Sequence, residues 1–215
     1  MASVSHSASV PVDVPAETPV AVAGFYGGDP QILGLPIFVV GSLALGFSLV
    51  GYVPTAAAGI VVPVIFAATG LGLIISTVWA MALGQTMVAA VFGLFAGFWL
   101  SFAILLLGLF HNWFLIPASA ANKSIALFLI SWAIVMGALT LATVRLPVTY
   151  TAVIALVVVA LVLRTIGVLN ADTSLDKAAG WVVFAFAALG LYLFLNIADT
   201  AMGGHGYPLG PPLEK

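Results

Sequence analysis

Cysteine is absent from all 215 residues, which removes disulfides, thiolate metal sites and thiol redox chemistry. Charge is nearly absent as well. Five Lys plus Arg and seven Asp plus Glu make 6% of the chain, against about 25% in a soluble domain. A formal net charge of -2 spread over so few groups leaves no basic patch for nucleic acid. The three histidines, His6, His111 and His205, are too scattered for a metal site or a catalytic set. No Ser-His-acid, paired-carboxylate or phosphate-loop arrangement occurs, so the chain does not read as an enzyme, and no cofactor or metal is expected. Residues 1–27 lack both a basic n-region and an apolar core, so they read as a disordered tail rather than a secretory signal.

What is present is apolar. Hydrophobic residues make 63% of the chain and the mean hydropathy is +1.27. The runs are too long and too uniform for half-buried strands, and the alternation of a membrane barrel is missing. The fold class is therefore an all-α integral membrane protein in contact with the lipid bilayer. Cutting at Gly, Pro and charge predicts six transmembrane helices in a bundle, over 32–53, 56–82, 86–109, 124–143, 147–168 and 178–200, each near the roughly 20 residues that cross a bilayer. A six-helix domain over 28–203 follows, with a C-terminal tail over 204–215. An even number of spans puts both termini on one side. Lys and Arg fall on both sides, so charge does not orient the chain.

The apolar sequence begins at Asp29-Pro30-Gln31-Ile32-Leu33-Gly34-Leu35-Pro36-Ile37-Phe38. Asp29 can cap the free N–H groups of a first turn, and Pro30 suits the first helical position, where its missing N–H costs nothing. Pro36 deprives the Ile32 carbonyl of its donor, which predicts a kink or loosening near Gly34. Gly93 and Gly97 make a small-xxx-small pair on the third span, a pattern that lets helices approach closely.

This stretch resembles the Asn-Pro-Ala-Pro-Leu-Gly-Leu signature of the succinate-acetate permease family, the acetate uptake transporters. Pro30, Leu33, Gly34, Leu35 and Phe38 match, while Asp29 stands for Asn, Gln31 for Ala and Ile32 for the second Pro. The likeness continues through Gly51-Tyr52, Gly84-Gln85-Thr86, Phe98-Trp99-Leu100, Trp132, Arg145, Ala179-Gly180-Trp181 and Tyr192. It implies a plasma-membrane, multi-pass protein with cytoplasmic termini, assembled as a homo-hexamer with a pore through each subunit. Family members narrow that pore with three side chains, and the matching positions here are Phe38, Phe95 and Ile154. A simpler reading is that these large side chains only pack.

Several positions that are polar in the family are Leu73, Ala90, Gly93, Leu94, Gly97, Val153 and Ala155 here, and the family's Tyr is Phe95. Such a pore would be drier, which favours a neutral acid or another neutral solute over a bare carboxylate. The remaining candidate donors along it are Ser42, Thr69, Thr151 and Asn196, with Ser101 and Thr165 beside them. Asp29 puts a formal negative charge where the family has an amide; an ordinary helix cap is the plainer account of it. Arg164 is either a snorkelling residue or an anion-attracting group in a vestibule. The resemblance points to a channel or transporter for short monocarboxylic acids of the acetate type, with proton linkage left open. A pore for a small neutral solute, and an accessory membrane subunit without transport, remain as alternatives.

Overall fold

The structure, a computed structural model, describes residues 27–214. The tail expected over 1–27 lies, but for Gly27, outside the described residues. The described residues fold into six long helices: α1 (Gln31–Leu49), α2 (Ala56–Ala82), α3 (Thr86–Phe110), α4 (Ala118–Ala142), α5 (Val148–Asn170) and α6 (Thr173–Ala201). All six are long and apolar enough to cross a membrane. The fold is all-α, and each span falls where the hydropathy places it. The boundaries differ by more than four residues at two joins. α4 begins six residues before the expected Ser124, because Pro117 ends the preceding loop in extended backbone and the helix starts at once. α6 begins five residues before the expected Ala178. Asp172 accepts the Ser174 N–H at 2.8 Å and its hydroxyl at 2.6 Å, a cap that opens the helix at Thr173.

Consecutive helices pack side by side, and α6 returns against α1 to close the bundle. Large apolar side chains such as Ile75, Val78, Ile134 and Leu195 face outward, while Ser42, Thr69 and Ser76 are fully buried. That inverted pattern suits a lipid surround. Tyr52, Trp113 and Trp181 lie exposed near helix ends opposite the termini, at the level where amphipathic rings settle.

The two helices with an interior proline behave differently. α1 stays α-helical through Pro36, so the loosening expected near Gly34 is not where the backbone departs from α. Pro36 lies close enough to the helix start that only the Ile32 carbonyl loses its donor. The irregular backbone is in α2. It opens as a 3-10 turn over Thr55–Ile60, passes Pro63, and widens to π-helix over Val64–Gly70. Pro63 withholds its N–H in mid-span, and the widened turn re-pairs the carbonyls that follow. The π segment carries Thr69 to α1, where its hydroxyl donates to the Ile37 carbonyl at 3.3 Å. Gly41 makes this approach possible, since a Cβ there would lie 2.8 Å from Thr69 Cγ2.

The C-terminal segment is bound to the bundle. Tyr207 N–H donates to Asn196 Oδ1 at 2.6 Å, Tyr192 donates to the Pro208 carbonyl at 2.8 Å, and Thr149 donates to the Leu209 carbonyl at 2.7 Å. Pro212 lies beside Pro147, and Arg145 pairs with Glu214 at 3.5 Å.

Candidate functional site: two cavities meeting at an aromatic pair

The start of α1 forms one end of the site. Pro30 is fully buried and helical, and its carbonyl accepts the Leu33 and Gly34 N–H groups at 3.2 and 3.0 Å. Asp29 caps the turn: the Gln31 N–H donates to Asp29 Oδ1 at 2.9 Å and the Gln31 side-chain amide to Oδ2 at 3.2 Å. One turn later Gly34 meets the ring of Phe92 on α3, where a Cβ would sit 2.6 Å from ring carbon. Any side chain at 34 would drive α1 from α3. Leu33 of the same motif is only half-buried.

Three cavities follow one another through the bundle. The first, about 200 Å³, lies beside the start of α1 and is lined by Gln31, Leu35, Val91, Phe92, Leu146 and Tyr150 among others. It shares Leu35, Phe92 and Tyr150 with a second, about 50 Å³, which reaches Phe38, Phe95, Thr143 and Ile154. The third, about 90 Å³, begins at the same two phenylalanines and runs along Trp99, Phe102 and Leu161 to Arg164, on the side away from the termini. Phe38 and Phe95 therefore separate an N-terminal-side space from a far-side space.

The three residues expected to narrow a path come together. Phe38 and Phe95 have ring centroids 4.7 Å apart, and Phe38, Phe95 and Ile154 are 4%, 4% and 3% exposed. Ile154 lines the middle cavity with both rings and does not reach the far one. A fourth side chain, Phe186 of α6, stands 5.7 Å from Phe38 and lines the far cavity. Sequence reasoning missed Phe186; the only hint was its position among the small residues of Phe184-Ala185-Phe186-Ala187-Ala188.

The hydroxyls expected to line the path do not line these cavities. Ser42 donates to the Phe38 carbonyl at 2.8 Å, Thr69 crosses to Ile37, and Thr151 donates to the Thr143 carbonyl at 2.7 Å. Ser101 and Thr165 bond back to the preceding turn, at 2.6 and 2.8 Å. Asn196 holds the C-terminal segment. The physical reason is common to all: in an apolar surround, a hydroxyl gains most by donating to the nearest carbonyl. The polar groups that do face the spaces are others: Gln31 and Tyr150 on one side, Trp99 and Arg164 on the other.

Arg164 does not stand alone at its cavity mouth. Its guanidinium pairs with Asp176 from the first turn of α6, and both side chains are largely shielded, 31% and 24% exposed. Gly167 allows this, because a Cβ there would come 2.6 Å from Asp176 Oδ1. Reading 172–177 as loop concealed the partner. Outside the spans, Ser174 holds the Asp172 carboxyl below the usual carboxylate range, mainly through its hydroxyl and then through its backbone N–H. Among the described residues no group of three or more His, Asp or Glu could hold a metal ion.

Residues 16–204 match the GPR1/FUN34/yaaH family. The chain belongs to that family. Its six apolar helices are those of a multi-pass membrane protein. Within the curated proteins, the chain is similar to the meiotically up-regulated gene 86 protein of Schizosaccharomyces pombe, 40% identical over 81 residues. That stretch is 35% of this chain and spans only 25% of the length of the relative. Among solved structures, the fold is similar to that of the bacterial acetate channel SatP, with a TM-score of 0.75. The match covers 85% of this chain and 99% of the channel, at 22% identity. The GPR1/FUN34/yaaH assignment thus covers all six helices, and the structural likeness carries the same architecture.

Proposed function

We propose that the protein is a membrane channel or transporter for short monocarboxylic acids of the acetate type, which pass between the two cavities through the gap at Phe38, Phe95 and Ile154. The observation that carries this reading is the distribution of polar atoms. Every polar side chain that reaches the two larger cavities, Gln31, Tyr150, Trp99 and Arg164, can donate a hydrogen bond. A carboxyl group needs donors. The family and the acetate channel of like fold support the same solute class.

Between the cavities the walls are hydrocarbon. A bare carboxylate there would lose its water with nothing in exchange, at a cost of several kcal/mol even after relaxation. The neutral acid avoids most of that penalty, so it is the species that crosses. The homo-hexamer, the plasma membrane and cytoplasmic termini belong to this reading, supported by the family resemblance. The outward apolar faces of α2 and α4 suit lipid or neighbouring subunits.

Uptake of labelled acetate into proteoliposomes, corrected for empty vesicles and run with and without a pH gradient, tests the proposal. Protein-dependent uptake that follows an inside-alkaline gradient is expected. Uptake equal to that of empty vesicles would sink it. The apolar walls of the middle cavity favour a second reading, a pore for small neutral solutes, which predicts uptake of glycerol or urea without acetate.

A further inference from the structure

Among the described residues, one buried side-chain donor has no hydrogen-bond partner. Trp99 is 1% exposed, and its indole Nε1 meets no acceptor. Among the described residues, just one other buried side-chain atom lacks a hydrogen bond, Asp176 Oδ1, and that oxygen is ion-paired with Arg164. An orphaned buried donor costs about 1–3 kcal/mol. α3 places phenylalanine at 92, 95, 98 and 102, and a phenylalanine at 99 would fill much of the same volume without that cost. The indole N–H therefore asks for an acceptor that is not part of the chain.

Its position says where that acceptor comes from. Trp99 follows Phe95 by one turn of α3, so the two side chains share a face. Both line the far cavity, with Phe38 at one end and Arg164 toward the other. Phe98 meets the indole edge to face at 5.1 Å, holding the ring in place. The buried hydroxyls nearby are committed to backbone carbonyls, as Ser42 is to Phe38. Arg164 pairs with Asp176 toward the other end of the cavity, away from the aromatic pair. Trp99 is the donor left uncommitted beside the aromatic pair.

We propose that the Trp99 indole N–H donates a hydrogen bond to a carboxyl oxygen of the permeating acid, making a binding station on the far side of the gap. This rests on the acetate-type reading above. The station suits either protonation state, because a carbonyl oxygen and a carboxylate oxygen both accept. The acid's methyl group then lies against the phenylalanine wall.

The test uses the full chain with its five tryptophans labelled at the indole nitrogen, in nanodiscs, titrated with acetate. One indole N–H resonance should move downfield and saturate. Trp→Phe variants at 79, 113, 132 and 181 should keep that resonance, and Trp99→Phe should remove it. In proteoliposomes Trp99→Phe should raise the half-saturating acetate concentration about five- to tenfold, the worth of one such hydrogen bond. If Trp99→Phe does not fold, the wild-type titration with the other four variants still decides. Wild type that takes up acetate while its Trp99 resonance stays still, or while Trp99→Phe gives a superimposable uptake curve, would overturn the station and leave the transport reading intact. Wild type that takes up no acetate would overturn both.

Discussion

The two cavities that meet at the Phe38–Phe95 pair offer donors of different kinds. On the N-terminal side the donors are neutral, the Gln31 amide and the Tyr150 phenol, and the Asp29 carboxylate stands directly behind the amide. On the far side a guanidinium stands at the mouth, held by Asp176, and an indole N–H lies deeper in. Both spaces can receive a carboxyl oxygen, but only the far one offers a charged donor, one whose charge Asp176 balances. The hydrocarbon gap between them makes no such distinction of side. It discriminates by charge, because neither ring nor the Ile154 side chain can replace water around an anion. On the proposed reading, recognition belongs to the two ends and exclusion to the middle.

Removing the middle should have the largest effect. Phe95→Ala would join the cavities and admit water, so acetate flux at neutral pH should rise about tenfold and an anion current should appear in planar bilayers. Stability should fall by about 3 kcal/mol from the lost packing, read by thermal melting in detergent. A variant with unchanged flux and no current would mean that the pair is only core.

The far end is next. Arg164→Gln leaves the Asp176 carboxylate shielded and unpaired, which should cost about 1–3 kcal/mol, between the values for exposed and buried pairs. The double variant with Asp176→Asn should regain most of that stability. Acetate half-saturation measured from the far side should rise a few-fold in both. Equal melting for the single and the double variant would show that the pair is not coupled.

At the N-terminal end, Asp29→Asn keeps a cap residue, since Asn caps about as well as Asp. It removes a charge whose repulsion of a carboxylate is appreciable even at intermediate dielectric. Flux at neutral pH should rise two- to threefold, a figure of about the size left after screening. At low pH, where the acid is neutral, wild type and variant should coincide. Curves that coincide at every pH would reduce Asp29 to a helix cap.

The smallest effect is expected away from both ends. The Asp172 carboxyl is held low in the folded chain by Ser174, so its stabilising contribution is full above the ordinary carboxylate range and lost as pH falls through the lowered value. Asp172→Ala should lower the melting temperature slightly at neutral pH, not at acid pH, and leave flux unchanged. A change in flux would place the α5–α6 turn in the path.

Much of this layout could be read from residue order. Six apolar runs in a chain with 6% charge specify six helices, and Asp29-Pro30 specifies where the first begins. Phe38, Phe95 and Ile154 were singled out through their positions in a family pattern, not through their chemistry, since large apolar side chains in a bundle look alike in sequence. The donors were harder. A hydroxyl in sequence shows capacity and not commitment, and Ser42, Thr69 and Thr151 had each been spent on a backbone carbonyl. Trp99 carried the opposite ambiguity, because an indole inside an aromatic run reads as packing until its nitrogen is seen without a partner. The Arg164–Asp176 pair joins two helices, and periodicity within either one does not reveal it.

The central claim, that solute passes through the gap at Phe38, Phe95 and Ile154, is tested most directly by filling it. Ile154→Trp adds an indole against both rings at a stability cost of about 1–3 kcal/mol, and Ile154→Val serves as the control that keeps the space open. Labelled acetate uptake is measured in proteoliposomes at matched protein density, with folding checked by thermal melting. The account predicts uptake at the level of empty vesicles for Ile154→Trp and near wild type for Ile154→Val. Folded Ile154→Trp that takes up acetate like wild type would contradict it and move the path elsewhere.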